Sequence, residues 1–317
     1  MDKTVAVTRI LNEDDIAEAF VRHNAAHVDH MLFLDNGSTD RTLVILRALQ
    51  AEGFPLIVFQ NLAVSFDEIG ANSWAYQMAS QLLGASWVVY LDADEFIVTP
   101  NSVPLSSLLP EGVDAVTVPL VNYVQTREDK ADEPVVPWRQ RWRHPGATGV
   151  YKLMLRAGLA DIVIEAGNHG AFCNGVKLQA MPLAGVSLAH YPRRNGWQIV
   201  QKMCAGWLKA LAAGQQGTVY SRHYLSPFET LRDKPGEVLY GDYFKFEIER
   251  RHVVEDPLPY LGGPLVYWEK SDPAMKAAQS FLHFAERLAL QHGRLIDETA
   301  PARALVEGWN GKRDFLF

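Results

Sequence analysis

Residues 30–60 read HMLFLDNGSTDRTLVILRALQAEGFPLIVFQ, and the change of texture along this stretch decides the fold. His30–Asp35 is a short, mostly apolar run, as a strand buried on both faces requires. It ends in Asn36-Gly37-Ser38, a turn cluster whose Asn-Gly step supplies left-handed backbone. Arg41–Glu52 then places Leu43, Leu46 and Leu49 at helical spacing, with Ser38, Thr39 or Asp40 to cap its start and Gly53 and Pro55 to stop it. Leu56–Gln60 returns to a strand texture. Strand, helix and strand in this order make a unit whose strands run parallel.

The same texture continues on both sides. Thr4–Ile10 is a β-branched, largely apolar strand. Asp14 or Asp15 is expected to cap a helix running to about His27, with Ile16, Ala19, Phe20 and His23 on one stripe. Downstream, a helix is expected over about Asp67–Leu83 and a strand over Trp87–Leu91. Three successive strand–helix units predict a mostly parallel sheet covered by helices on both faces. Ile69–Leu91 carries no charge over 23 residues, long enough to span a bilayer. Asn72, Ser73, Gln77, Ser80, Gln81 and Gly84 instead favour a helix, a break at Gly84 and a buried strand.

After Pro100 the pattern loosens. Ala115–Pro119 and Tyr151–Leu155 read as strands, and helices are expected over Trp197–Ala213 and Ala274–His292. Between the two strands, Gln125–Thr148 is polar. It carries Glu128, Asp129, Asp132 and Glu133, then Trp138, Arg139, Arg141, Trp142 and Arg143. A connection this long suggests an acceptor platform, a lid or a solvated excursion.

The 317 residues suit two domains or one α/β domain with a long tail. With 30 Lys and Arg against 37 Asp and Glu, the net charge is −7. That balance opposes a general nucleic-acid binder, which needs a basic excess. Cys173 and Cys204 are too few for a disulfide framework or a zinc set. No apolar leader opens the chain, and a reducing, cytoplasmic setting is expected. A peripheral position at the inner face of the membrane and a homodimer are compatible with it; a transmembrane segment is not expected.

In open α/β sheets ligands bind at the carboxyl ends of the strands, and three such ends carry polar groups here. They are Thr8–Asn12–Glu13, Asp35–Asp40, and Asp92–Asp94–Glu95. The last drives a buried strand, WVVYL, into three carboxylates within four residues. Mutual repulsion there calls for a cation, and oxygen ligands suit Mg²⁺ or Mn²⁺ shared with substrate phosphates. There is no glycine-rich phosphate loop.

The segments TRILNEDD, FLDNGSTD and WVVYLDADEF together resemble the nucleotide-binding half of family 2-type glycosyltransferases of the GT-A fold. The likeness is greatest to the bacterial subgroup with DNGSTD and DxDEF motifs, and it covers about residues 4–98. It implies a GT-A-like, mixed but mostly parallel sheet flanked by helices, with a helical C-terminal region. Residues 1–100 would form the nucleotide-sugar half, 101–215 the acceptor half and 216–317 a partly helical extension. It further implies a nucleotide-diphosphate sugar donor, a UDP-sugar being favoured, a divalent metal, a saccharide or glycan acceptor, and inversion at the anomeric carbon. On that basis Thr8 and Asp35 would contact the base, and Asn12, Glu13, Ser38, Ala93 and Arg193 would line the donor site. Asp92 would reach the ribose or the metal, and Asp94 would hold the metal. His190, in an Ala189-His190-Tyr191 element, would complete the metal or diphosphate site. Glu165 or His169 would serve as the base, and Arg194 and Lys202 would add charge for the diphosphate. Two other readings share these features: a non-catalytic nucleotide- or carbohydrate-binding module, and a sugar-phosphate nucleotidyltransferase. The latter usually has a glycine-rich basic loop after its first strand, which TRILNEDD lacks.

Overall fold

The computed structural model describes residues 2–65, 67–126, 129–130, 132–214, 222–236 and 252–311. Glu128 and parts of the expected 216–317 extension lie outside them. Strands are β1 (Thr4–Ile10), β2 (His30–Asp35), β3 (Leu56–Gln60), β4 (Trp87–Tyr90), β5 (Glu95–Val98), β6 (Ala115–Val124) and β7 (Trp142–Arg143). They continue with β8 (Tyr151–Arg156), β9 (Ile162–Ile164), β10 (Ala171–Cys173), β11 (Val176–Lys177), β12 (Met181–Pro182), β13 (Ser187–His190) and β14 (Val254–Glu255). Helices are α1 (Ala17–Asn24), α2 (Thr42–Glu52), α3 (Glu68–Gln81), α4 (Val136–Arg139), α5 (Gly196–Ala212), α6 (Arg222–Asp233), α7 (Pro273–Glu298) and α8 (Ala300–Gly311).

The order β3-β2-β1-β4 is parallel throughout. β8 then runs antiparallel between β4 and β6, which leaves β6 parallel to β4. β13 adds alongside β6 in parallel and pairs β5 antiparallel. This is the expected class, a mixed, mostly parallel sheet with flanking helices and helices at the C-terminal end. Strand periodicity divides the core between two faces. Ala6, Met31, Phe33, Trp87 and Val89 join Phe20, Ile45, Leu46 and Leu49 of α1 and α2. Val5, Val7, Leu32, Val88 and Tyr90 face Ala75, Tyr76 and Ala79 of α3 on the other side.

Local chemistry sets several boundaries. Asp67 caps α3 by accepting from Gly70 N–H at 3.0 Å, Asn195 caps α5 through Gln198 N–H, and Asp272 caps α7, with Pro273 in its first turn. Asp40 accepts from Thr42 N–H at 2.9 Å, as expected for the start of α2. The helix after β1 differs from expectation. It ends at Asn24, and neither Asp14 nor Asp15 caps it. Asp14 pairs with Lys276 of α7, and Asp15 takes both Nε and Nη2 of Arg194. An ion pair supplied from far along the chain outcompetes the local cap.

The described part of the 125–148 stretch has secondary structure of its own. It contains α4 and β7, and Val135, Val136 and Gln140 are buried. Arg141 pairs with Glu255 and Arg143 with Asp256, so these guanidinium groups tie β14 to this stretch. The uncharged stretch 69–91 is a helix, a break at Gly84 with φ +62° and a strand. Among the described residues, no helix is long and apolar enough to cross a membrane.

Candidate functional site

The carboxyl ends of β1, β2 and β4 lie side by side, so three polar loops converge at one edge of the sheet. The tightest turn follows β4. Glu95 N–H donates to Asp92 C=O at 3.0 Å, and Asp92 N–H donates back to Glu95 Oε2 at 2.9 Å. This pair of bonds folds β4 into β5 and leaves Asp94 at the apex. Tyr191 N–H, just past β13, then donates to Asp94 C=O at 2.9 Å. Ladder register places His190 of β13 opposite both Glu95 of β5 and Asn122 of β6. The expected Asp94 and His190 are thus brought together by three strands that sequence spacing alone does not connect.

Each carboxylate has its own environment. Asp94 is buried, and its Oδ2 accepts from Lys202 Nζ at 2.9 Å while Arg194 Nη1 stands 3.6 Å away. Its Oδ1 is buried with no hydrogen-bond partner and lies 3.6 Å from His190 Nε2. Burial pushes the Asp94 carboxyl up, but Lys202, His190 and Arg194 together outweigh it and hold it below its ordinary value. Burial pulls His190 down despite Asp94, so the ring is neutral at pH 7. His190 Nδ1 lies 2.8 Å from Asn122 Oδ1, which makes Nδ1 the protonated nitrogen. Nε2 therefore turns a lone pair, not a proton, toward Asp94 Oδ1. Two acceptors, the carboxylate oxygen buried and the imidazole partly so, facing each other without a hydrogen between them suit a cation.

Asp92 is 41% exposed at its side chain, accepts from Lys152 Nζ at 2.7 Å and has Arg9 at 4.0 Å. Against partial burial, these two cations hold its carboxyl well below the usual range. Glu95 is fully buried, and Lys152 is 3.4 Å from its Oε1. Burial, with Asp92 and Asp94 nearby, lifts Glu95 to about 8. Glu13 reaches the same centre by accepting from Arg194, and burial lifts it to about 7. Arg194 is fully buried among Glu13, Asp15 and Asp94.

Three acids close together were expected to need an added cation. Lys152 and Lys202 answer part of that need from within the chain. Among the described residues, no group of three or more His, Cys, Asp or Glu side chains could hold a metal alone. Asp94 Oδ1 and His190 Nε2 offer two ligands, with Asp92 at the next strand-end position. That fits a magnesium- or manganese-type ion completed by substrate oxygens.

The other expected residues fall into different roles. Thr8 is buried at β1, and its Oγ1 has no hydrogen-bond partner. Asp35 is fully buried, and its carboxylate accepts from Gly37 N–H, Ser38 N–H and Gln60 Nε2. It shapes the loop after β2. Asn12, at φ +55°, ties the loops together by accepting from Thr39 N–H at 2.7 Å and donating its own N–H to Ser38 Oγ. Asn12 and Ser38 are thus engaged with each other. Ala93 turns into the apolar core. Arg193 is exposed at its side chain and lends its carbonyl to Gln140; its neighbour Arg194 is the one that enters the site. Glu165 pairs with Lys177 of β11 at 3.2 Å. His169 lies on the loop after β9, where Nδ1 donates to Tyr151 C=O at 2.7 Å and Nε2 is left as the acceptor. That loop is linked to the edge by Gly167 N–H to Glu68, Glu68 to Arg9, and Arg9 to Asp92.

Sequence reasoning missed Lys152, Arg9 and the docking of α7. Lys152 lies in an apolar strand, YKLML, where a lone charge is itself the signal of a buried partner. α7 crosses the loops after β1, β2 and β3. Ser280 accepts from Asn12, Arg287 donates to Asn36 C=O at 3.2 Å, and Gln291 bonds Leu62 and Val64. On α7, Phe284 is buried, whereas Leu282 and Leu290 are exposed.

Among solved structures, the chain is similar to TarS from S. aureus in complex with UDP, at 14% identity and a TM-score of 0.38, over 78% of this chain and 77% of that one. It is similar to the mannosyltransferase PcManGT from Pyrobaculum calidifontis in complex with GDP-Man and Mn²⁺, at 14% identity and 0.37, over 96% and 83%. A third is glucosyl-3-phosphoglycerate synthase from Mycobacterium tuberculosis with Mn²⁺, UDP-glucose and phosphoglyceric acid, at 17% and 0.34, over 67% and 80%. No family model and no curated protein matches the chain. Similarity this distant does not extend to ligand or chemistry, which rest on the residues themselves.

Proposed function

We propose that the chain is an inverting, divalent-metal-dependent glycosyltransferase of the GT-A type, moving a sugar from a nucleoside-diphosphate donor to a saccharide hydroxyl. The observation that carries this reading is the pair formed by the buried, unpartnered Asp94 Oδ1 and the partly buried His190 Nε2, 3.6 Å apart and both acceptors. An orphaned buried carboxylate oxygen costs several kcal/mol unless a ligand or ion satisfies it. Asp94 and His190 would hold the ion with Asp92 beside them, and the ion would supply Lewis-acid stabilisation of the leaving diphosphate. The unpartnered Thr8 hydroxyl at the neighbouring strand supports a nucleoside on the β1 side. Asp35 supports it by holding the loop that frames that side.

The acceptor hydroxyl needs a base on the face of the sugar opposite the diphosphate. His169 fits better than Glu165, because its Nδ1–H is fixed on Tyr151 and Nε2 is free to take the proton, while Glu165 is held by Lys177. The proton would pass from the hydroxyl to His169 Nε2 as the new bond to the anomeric carbon forms and the bond from that carbon to the diphosphate oxygen breaks, its electron pair leaving with the nucleoside diphosphate. The test is turnover of UDP- and GDP-sugars with and without Mn²⁺. Metal-dependent transfer or donor hydrolysis is expected, falling on the order of a thousandfold in Asp94→Asn. Unchanged turnover in that variant, or none with any donor, overturns the proposal. The internal pairing of Asp92, Asp94 and Glu165 favours one second reading, a module that binds the donor without transferring it. Binding with neither transfer nor hydrolysis would identify it.

A further inference from the structure

The two oxygens of Asp94 are divided between two kinds of partner. Oδ2 receives Lys202 Nζ at 2.9 Å, and Oδ1 faces His190 Nε2. A dication on the Oδ1 side and the ammonium on the Oδ2 side would flank one carboxylate, close enough to repel each other strongly. Of the two protein cations at Asp94, only one is able to move. Arg194 is fully buried and clamped by Asp15 through two bonds of 2.8 and 3.0 Å. Lys202 is 38% exposed and sits on a flexible stem.

Helix α5 also has a direction across the site. Lys202 and Lys209 are two turns apart on one face, about 10 Å along the axis. Lys209 reaches Asn36 Oδ1 in the loop after β2. The helix therefore runs from the loop after β4 to the loop after β2, a span on the scale of a nucleotide from its phosphates to its base.

Building on the donor-site reading above, we infer that Lys202 is a partner-exchanging cation. Without nucleotide it neutralises Asp94 Oδ2, and when a nucleoside diphosphate arrives with its metal, Nζ donates to the diphosphate oxygens instead. The exchange makes Lys202 oppose metal binding on its own and favour nucleotide binding. These two effects have opposite signs, which a merely structural lysine cannot produce. Removing the ammonium frees Asp94 for a dication but deprives the diphosphate of a donor.

The test is calorimetric titration of the wild-type chain, Lys202→Met and Lys202→Arg, first with Mn²⁺ alone and then with UDP or GDP in saturating Mn²⁺. Lys202→Met is expected to bind Mn²⁺ alone about tenfold more tightly and the nucleotide about tenfold more weakly, on the scale of one charge-assisted contact. Lys202→Arg is expected to stay near wild type in both. Lys202→Gln gives the same two shifts if the Met variant does not fold. Weakening of both ligands, or an unchanged nucleotide affinity, overturns the exchange while leaving the donor site standing. A wild-type chain that binds neither UDP nor GDP overturns the donor site itself, and the exchange with it.

Discussion

Arg194→Met is the most demanding perturbation of the site. Arg194 is fully buried, with bonds of 2.8 and 3.0 Å to Asp15, 3.2 Å to Tyr191 C=O, a contact to Glu13, and 3.6 Å to Asp94. Removing one side of a buried ion pair typically costs about 3–5 kcal/mol, because the other side is stranded. Here Glu13 already stands at about 7 through burial and relieves its own charge by taking a proton. Asp15, held below its ordinary value by Arg194 against burial, has no such relief. The expected loss is therefore about 4 kcal/mol, or roughly 10 °C in melting temperature for a chain of this size.

Two companion measurements make that figure refutable. Adding Asp15→Asn removes the stranded charge and is expected to restore about half of the loss. The pH dependence has a definite sign. Glu13 has a raised carboxyl, so its contribution is fully present below its unfolded value near 4.5 and is lost as pH rises through about 7. Without Arg194, whose charge pulls it down, the folded value climbs further. The variant should then recover toward wild type as pH falls from 7.5 to 5. Urea unfolding at several pH values is the assay. A loss under about 1 kcal/mol, or a gap that widens on acidification, refutes the idea that Arg194 neutralises a buried acid cluster.

Other outcomes follow from the same structure. His23, buried between Phe96 and Tyr260, donates to Ile97 C=O and accepts from Leu261 N–H. Burial lowers it to about 4, so stability present above pH 6.5 is lost as pH falls toward 4, by at most about 3 kcal/mol; a flatter slope in His23→Phe checks this. Lys152→Met leaves Glu95, already at about 8, to relieve its charge by taking a proton and strands only half-solvated Asp92, so it should cost about 2 kcal/mol by chemical denaturation. Gly37 has φ +85°, and a Cβ there would meet the Arg287 guanidinium. Gly37→Ala is expected to cost about 2 kcal/mol, falling to about 1 in an Arg287→Ala background where the backbone strain and a close contact to the Leu62 methyl remain; a double-mutant cycle by thermal unfolding checks the difference.

The parallel half of the sheet was legible because each strand is a short apolar run and each helix repeats at its own period. The site was legible where chemistry sits at a strand end, as with Asp92 and Asp94. It was not legible where a partner comes from far along the chain. Asp15 has the local form of a helix cap, and only the fold brings Arg194 to it, 179 residues later. Arg193 and Arg194 are indistinguishable in sequence, and the turn after β13 decides which one points inward. The arginines of 125–148 left a platform, a lid and a solvated excursion open, and the partners of two of them, Glu255 and Asp256, come from far along the chain. Asp35 was read as a base contact, and the donors its carboxylate accepts from, Gly37 N–H, Ser38 N–H and Gln60 Nε2 of β3, are set by the fold rather than by its place in the motif.

The central claim is that Asp94 Oδ1 and His190 Nε2 hold a dication that a nucleoside diphosphate completes. Anomalous scattering from crystals grown with Mn²⁺ and UDP or GDP tests it most directly. The account predicts a manganese peak within bonding distance of both atoms, with Lys202 turned from Asp94 to the diphosphate. Nucleotide bound with no metal between these two side chains, or a manganese ion held elsewhere, would contradict it.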